Sequence, residues 1–226
     1  MSQTSETKMS TMTHPQLLAE QEKTLTTPRL SYGILAKILF VTMDLFYGRK
    51  GTLPKFKVLE IIARMPYQSW ENVAYVAITH KYKDTKFARR VFDRVQESRV
   101  QQDNEQWHLL IISEQIEKLG MKMGYLRYRL IPQIIAFVYY NISWLLYVIK
   151  PSLSYRLNME FEDHAEHEYM QFVAAHPELE AIPFKSDFEK DYGKFKSVSD
   201  MLRQIALDER HHKEESSARI EEARFK

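Results

Sequence analysis

Residues 207–215 read LDERHHKEE, and residues 104–112 read NEQWHLLII. Each stretch places a glutamate three residues before a histidine: Glu209 and His212 in the first, Glu105 and His108 in the second. On an α-helix, residues three and four apart share a face. Over residues 197–223, Val198, Leu202, Ile205, Glu209, His212 and Ser216 follow one another at those steps, so an apolar stripe runs into the pair. Over residues 86–119, Val91, Val95, Glu105, His108, Ile112 and Ile116 do the same, diluted by Ser98 and Gln102. A carboxylate on a core-facing stripe is costly unless a cation meets it. The alternative for either pair is a solvated helix face with a chance spacing.

Two further carboxylates extend the pattern. Glu60 lies among apolar residues in KVLEIIARM, where an ion pair with Arg64 four residues on is the plain alternative. Glu162 lies in the dense acidic run NMEFEDHAEHEYMQF, which also reads as a solvated face. Taken in chain order, the candidates are Glu, Glu-x-x-His, Glu, Glu-x-x-His on four helical segments. That is the ligand set of ferritin-like di-iron carboxylate bundles, two helices giving one Glu and two giving a Glu-x-x-His pair. Asn104 and Asp208 precede the two paired glutamates, each four residues before its histidine; they read either as groups that orient the ligands by hydrogen bonding or as two unrelated surface polar residues.

Composition sets the frame. The 226 residues hold 44% hydrophobic and 12% aromatic side chains, enough for a core, with only 6 Gly and 8 Pro, which argues against an all-β chain. With no Cys, any metal must be held by His and carboxylates, ligands suited to iron or manganese. The net charge of +2 is small and unclustered, so no nucleic-acid partner is expected.

Six helical segments are predicted, at 32–48, 55–78 with a bend at Pro66, 86–119, 130–149, 152–175 and 197–223. Residues 1–31 are polar and read as a loose tail before one domain at 32–226. The segment 130–149 has 20 residues without a formal charge, long enough to span a bilayer. A single span there would put the ligands before it and after it on opposite sides of the membrane. A helix lying in the interface removes the conflict, and Tyr139, Tyr140, Trp144 and Tyr147 suit that depth. Arg49, Lys50, Arg127, Arg129 and Lys150 flank it and suit anionic headgroups. The alternative is a buried central helix of a soluble bundle.

The motifs VLEIIARMPY, NEQWHLLI, EDHAEHEY and DERHHKE resemble the four iron-binding boxes of the alternative oxidases, most closely those of the plastoquinol-oxidising branch. The resemblance covers roughly residues 35–220. It implies an all-α, ferritin-like four-helix bundle with two iron ions on Glu60, Glu105, His108, Glu162, Glu209 and His212, and Tyr169 as a tyrosine beside them. It implies a monotopic protein, with two membrane-interface helices. The implied activity is quinol oxidation coupled to reduction of O2 to water, without proton pumping. The implied partners are plastoquinol or a related quinol, O2, the lipid surface and, as an assembly to test, a second copy of the chain. The implied place is the thylakoid or cytoplasmic membrane of a cyanobacterium-like cell, on the cytoplasmic side. Leu59, Phe161 and Ala165, within one turn of a ligand, and Lys55, five residues before Glu60, are the expected quinol contacts. Lys55 stands where the family usually has Arg, and Glu168 where it usually has Thr. Rival readings are a ferroxidase bundle, a di-iron lipid hydroxylase or desaturase, and a membrane-surface structural protein.

Overall fold

The computed structural model describes residues 11–222. The helices are α1 (His14–Thr26), α2 (Ile34–Tyr47), α3 (Leu53–Ala63), α4 (Met65–Lys81), α5 (Thr85–Lys118), α6 (Ile131–Ile149), α7 (Pro151–Ala175) and α8 (Val198–Glu221). A π turn, Leu126–Leu130, leads into α6, and a 3-10 turn, Pro177–Ala181, follows α7. No strand occurs among the described residues, apart from one bridge between Pro183 and Ser197. The expected all-α bundle is therefore the observed class.

The bundle proper is α3, α5, α7 and α8, each burying the face that carries its candidate ligands. The expected bend in the second segment is a break: α3 ends at Ala63 and α4 restarts at Met65, with Pro66 in its first turn, where a missing N–H costs nothing. The core lies on two sides of the ligands. One side joins Ile111, Ile112, Met170, Met201, Leu202 and Ile205; the other joins Leu39, Phe40, Val58, Leu59, Ala136 and Phe161.

The reading of residues 1–31 as a loose tail is corrected over residues 14–26, which form α1; residues 1–10 lie outside the described part. Thr13 and Gln16 make a capping box, with the Thr13 N–H donating to Gln16 Oε1 at 2.9 Å, and Pro15 sits in the first turn. Helix α1 then packs on α7 and α8 with one buried leucine, Leu17, and two buried polar residues, Gln21 and Thr24. Gln21 Nε2 donates to the Met170 carbonyl (3.2 Å), Arg203 Nε donates to Gln21 Oε1 (2.8 Å), and the Thr24 hydroxyl donates to Glu166 (2.8 Å). A helix docked by hydrogen bonds leaves little apolar period to read.

Helices α2 and α6 lie outside the bundle. The run Leu126–Ile149 is the one helical stretch among the described residues long and apolar enough to cross a membrane, by length and composition. It is not a buried central helix. Pro132, Ala136, Tyr139, Ser143 and Tyr147 form its one buried face. Opposite them Ile134, Phe137, Val138, Leu145 and Ile149 are exposed, as are Ile34, Ile38, Val41 and Leu45 on α2.

Candidate metal centre

The structure brings all six predicted ligands together. Glu60 from α3, Glu105 and His108 from α5, Glu162 from α7, and Glu209 and His212 from α8 are each at most 1% exposed. They fall into two groups whose ligand atoms lie within 4.8 Å of one another: Glu60, Glu105, His108 and Glu209 in one, Glu105, Glu162, Glu209 and His212 in the other. Glu105 and Glu209 belong to both groups. His108 Nδ1 is 3.3 Å from Glu60, 3.5 Å from Glu105 and 3.1 Å from Glu209. His212 Nδ1 is 2.8 Å from Glu105 and 3.8 Å from Glu209. Neither solvated alternative is realised. Arg64 donates to Gln106 rather than pairing with Glu60, and Glu162 is fully buried.

The donor atoms fit two cations. Both carboxylate oxygens of Glu105 and of Glu209 are buried without a hydrogen bond, as are Oε2 of Glu60, Oε2 of Glu162 and Nδ1 of both histidines. Unsatisfied buried polar atoms are rare in proteins, and a cluster of His and carboxylate atoms of this kind suits a bound cation. Glu105 and Glu209 each offer two free oxygens, the requirement for bridging; Glu60 and Glu162 each offer one, the requirement for a terminal ligand. Four carboxylates carry four negative charges, which two divalent cations balance in a site closed to water.

Without a cation, protons do that balancing. Burial, together with the charge on Glu209, holds the carboxyl of Glu60 well above its usual range, and burial with Glu209 and Glu105 does the same to Glu162. Burial pushes Glu105 up as well, but His212 and His108 outweigh it and bring it down to about 2. Glu209 is lowered against its burial and the Glu105 charge, by His108 and His212. Burial works against an imidazolium at His212, yet Glu105 and Glu209 raise it to about 10.

Around the ligands stands a layer of hydrogen bonds. Asp208 Oδ2 accepts from His108 Nε2 at 3.1 Å, from the Tyr192 hydroxyl at 2.6 Å and from Asn104 Nδ2 at 3.4 Å; Oδ1 accepts from Gln204 Nε2 at 2.9 Å. Asn104 and Asp208 thus meet each other, and Asp208 leaves Nδ1 as the ligating atom of His108. The Tyr169 hydroxyl donates to Glu60 Oε1, and its ring stacks on Phe56 at 4.1 Å between centroids. Two residues went unnoticed in the sequence. The Tyr67 hydroxyl donates to Glu162 Oε1 at 2.9 Å, and Tyr192 holds Asp208. Tyr67 was findable, because it follows Glu60 by seven residues as Tyr169 follows Glu162. Tyr192, in the polar connection before α8, gave no periodic signal.

A family model described as alternative oxidase matches residues 8–218, nearly the whole chain. The chain belongs to the alternative oxidase family. A relative described as ubiquinol oxidase 4, chloroplastic/chromoplastic, from Arabidopsis thaliana is 33% identical over 142 residues, 62% of this chain. The match spans only 37% of that protein's length. No solved structure matches the chain significantly.

The remaining expected residues of this alternative oxidase family member divide. Leu59, Phe161 and Ala165 are buried between the ligands and the α2–α6 face, in one cluster with Leu39, Phe40, Met43 and Tyr139. Lys55 is buried but engaged elsewhere: its ammonium pairs with Asp44 at 2.8 Å and donates to the Gly48 carbonyl at 2.9 Å, closing the C-terminus of α2. Glu168 pairs with Arg29 at 2.8 Å, away from the ligands. The rest of the acidic run on α7 is structural: Glu160 accepts from the Gly33 N–H at the start of α2, and Asp163 and Glu166 both accept from Lys213.

Proposed function

We propose that the chain is a membrane-surface quinol:oxygen oxidoreductase that holds two iron ions, oxidises plastoquinol or a related quinol, and reduces O2 to water without pumping protons. The observation that carries the reading is the pair of four-ligand groups sharing Glu105 and Glu209, set beneath the unpartnered apolar face of α2 and α6. Family membership supports it, and the chloroplastic relative, itself described as a ubiquinol oxidase, agrees with it.

The iron would be held by Glu60, Glu105, His108 and Glu209 at one position and by Glu105, Glu162, Glu209 and His212 at the other. Bound there, two adjacent irons supply reversible one-electron steps, which suits a four-electron reduction fed by two-electron donors. Two quinols lose four electrons and four protons, and one O2 takes them up as two waters, so the reaction balances. The protein's own part is positioning and exclusion. The six ligands are closed off from water, which limits escape of partly reduced oxygen. Asp208 orients His108, and Tyr169, fixed by Phe56 and Glu60, presents an oxidisable phenol beside the site. Leu59, Phe161 and Ala165 would line the approach of the quinol from the lipid side. Lys55 would act there through α2, because its ammonium is tied to Asp44.

Helices α2 and α6 would lie in one leaflet, with the flanking cations Arg49, Lys50, Arg127, Arg129 and Lys150 at headgroup level. A protein confined to one leaflet has no route across the bilayer, hence no pumping. We place it on the cytoplasmic side of a thylakoid or cytoplasmic membrane. A ferroxidase shares the ligands but has no use for the apolar face. The test is oxygen uptake by the iron-loaded protein with a plastoquinol analogue. Uptake that yields water and disappears on iron removal is expected; no quinol-dependent uptake by the loaded protein would overturn the reading.

A further inference from the structure

We infer that Tyr67 is a positioning residue of the metal centre: it holds one oxygen of Glu162, so that Glu162 meets its metal through the other. The inference rests on the two-iron reading of the site. Tyr67 and Tyr169 each lie seven residues after a ligand glutamate, at Glu60 and Glu162. On α7 seven residues are two helical turns, about 10 Å along the axis, too far for Tyr169 to reach Glu162; Tyr67 stands on α4, across the break from Glu60 on α3. The hydroxyls cross instead, Tyr169 to Glu60 and Tyr67 to Glu162. Glu60 is thereby held from α7, the helix of Glu162, and Glu162 from α4, the helix that follows that of Glu60.

The direction of the Tyr67 bond is fixed by its neighbours. Asn158 Nδ2 donates to the Tyr67 oxygen at 3.0 Å, and it also donates to Ser216 Oγ at 3.1 Å. A phenol has one hydrogen to give, and with Asn158 donating into its oxygen that hydrogen goes to Glu162 Oε1 at 2.9 Å. Tyr67 is fully buried, so water does not compete. Its ring is wedged edge-on against Trp70 at 5.1 Å and His212 at 5.8 Å, which prevents it from swinging away. The result shows in the ligand atoms: Glu162 keeps only Oε2 free, whereas Glu105 and Glu209, which no tyrosine reaches, keep both oxygens free. Removing the Tyr67 hydroxyl frees Glu162 to use both oxygens on one metal or to lean toward the second.

The test uses the full chain loaded with iron. Tyr67→Phe should keep two irons per chain but change the Mössbauer spectrum of one of them, and release iron to a chelator about 10–100-fold faster, the usual effect of losing a partner that orients a ligand. Trp70→Phe is the packing control. It removes the indole bond to Ser154 (2.8 Å) and trims the ring contact, yet leaves the Tyr67–Glu162 bond intact, so its spectrum should match the unaltered protein. Asn158→Asp offers an acceptor that competes with Glu162 for the Tyr67 hydrogen and should shift the same iron. It decides the matter if Tyr67→Phe does not accumulate folded. Unchanged spectra and release in both Tyr67→Phe and Asn158→Asp, or an equal change in Trp70→Phe, would overturn the role of Tyr67. Absence of iron from the unaltered protein would instead overturn the two-iron reading.

Discussion

Asp208, the neighbour of the candidate ligand Glu209 on α8, accepts the Nε2–H of His108, a candidate ligand on α5, at 3.1 Å. One buried carboxylate therefore ties the two halves of the site together and selects the ligating nitrogen. Asp208→Asn would present an amide hydrogen to at least one of the donors now aimed at it. Iron affinity should fall about 10–100-fold with the fold retained, measured by competition with a chelator. Unaltered affinity would remove Asp208 from the site.

Because Glu105 and Glu209 belong to both ligand groups and the other four to one each, substitutions should sort by metal count. Glu105→Ala or Glu209→Ala should bring iron below one per chain. Glu60→Ala or His212→Ala should leave about one, a figure that follows from the remaining four-ligand group. Metal analysis of purified variants checks this, and equal losses from all four would contradict the shared-ligand geometry.

Tyr169→Phe keeps the ring on Phe56 and loses only the bond to Glu60. Iron content should be unchanged while oxygen uptake slows at least about tenfold, equivalent to ~1.4 kcal/mol of barrier. Turnover at the original rate would leave Tyr169 a packing residue.

Metal uptake should release protons. The metal-free cluster favours the protonated forms of Glu60 and Glu162, whose carboxyls are raised by burial first and by neighbouring carboxylates, and of His212, raised to about 10 by Glu105 and Glu209 against its burial. Two divalent cations displace these protons, so affinity should fall as pH falls. Calorimetry in buffers of different ionisation enthalpy counts the protons. The same shift at His212 has a second consequence. Its folded value is above the ordinary 6.5, so its contribution to the stability of the metal-free protein is complete below about pH 6.5 and disappears as pH rises through about 10. Thermal melts should show that loss in metal-free but not in iron-loaded protein.

Leu45 and Phe137 are 78% and 69% exposed on α2 and α6. Changing both to Glu should leave the bundle folded and move the protein from the membrane to the soluble fraction. In sealed membranes, protease sites inserted after Gly120 and after Lys226 should be cut from the same side. Protection of one alone would establish a span through α6 and undo the in-plane arrangement.

Four of the six candidate ligands were legible because burial of α5 and α8 follows helical steps: Val198, Leu202, Ile205, Glu209, His212 and Ser216 on α8 are all buried as the spacing requires. A disturbance near Pro66 was legible from the missing N–H, as a bend in one helix rather than the break between α3 and α4 that the structure has. Helix α1 was not, since Gln21 and Thr24 dock by hydrogen bonds that pattern reading scores as surface. The partner of Lys55 was also hidden, because Asp44 lies on another helix and only packing brings the two within 2.8 Å. Tyr67 lay in plain view seven residues after Glu60, but a hydroxyl that crosses to another helix cannot be assigned from its own.

On the proposed function, the apolar face of α2 and α6 changes the meaning of concentration for this protein. A catalyst seated in one leaflet samples its lipid-soluble substrate in two dimensions, so the governing variable is the mole fraction of quinol in the bilayer rather than its molarity in the suspension. Adding inert lipid at fixed total quinol should slow the reaction by surface dilution, and adding buffer should not. A cell could thereby throttle such an oxidase by the size of its quinol pool relative to membrane area, with no change in the amount of either protein or quinol.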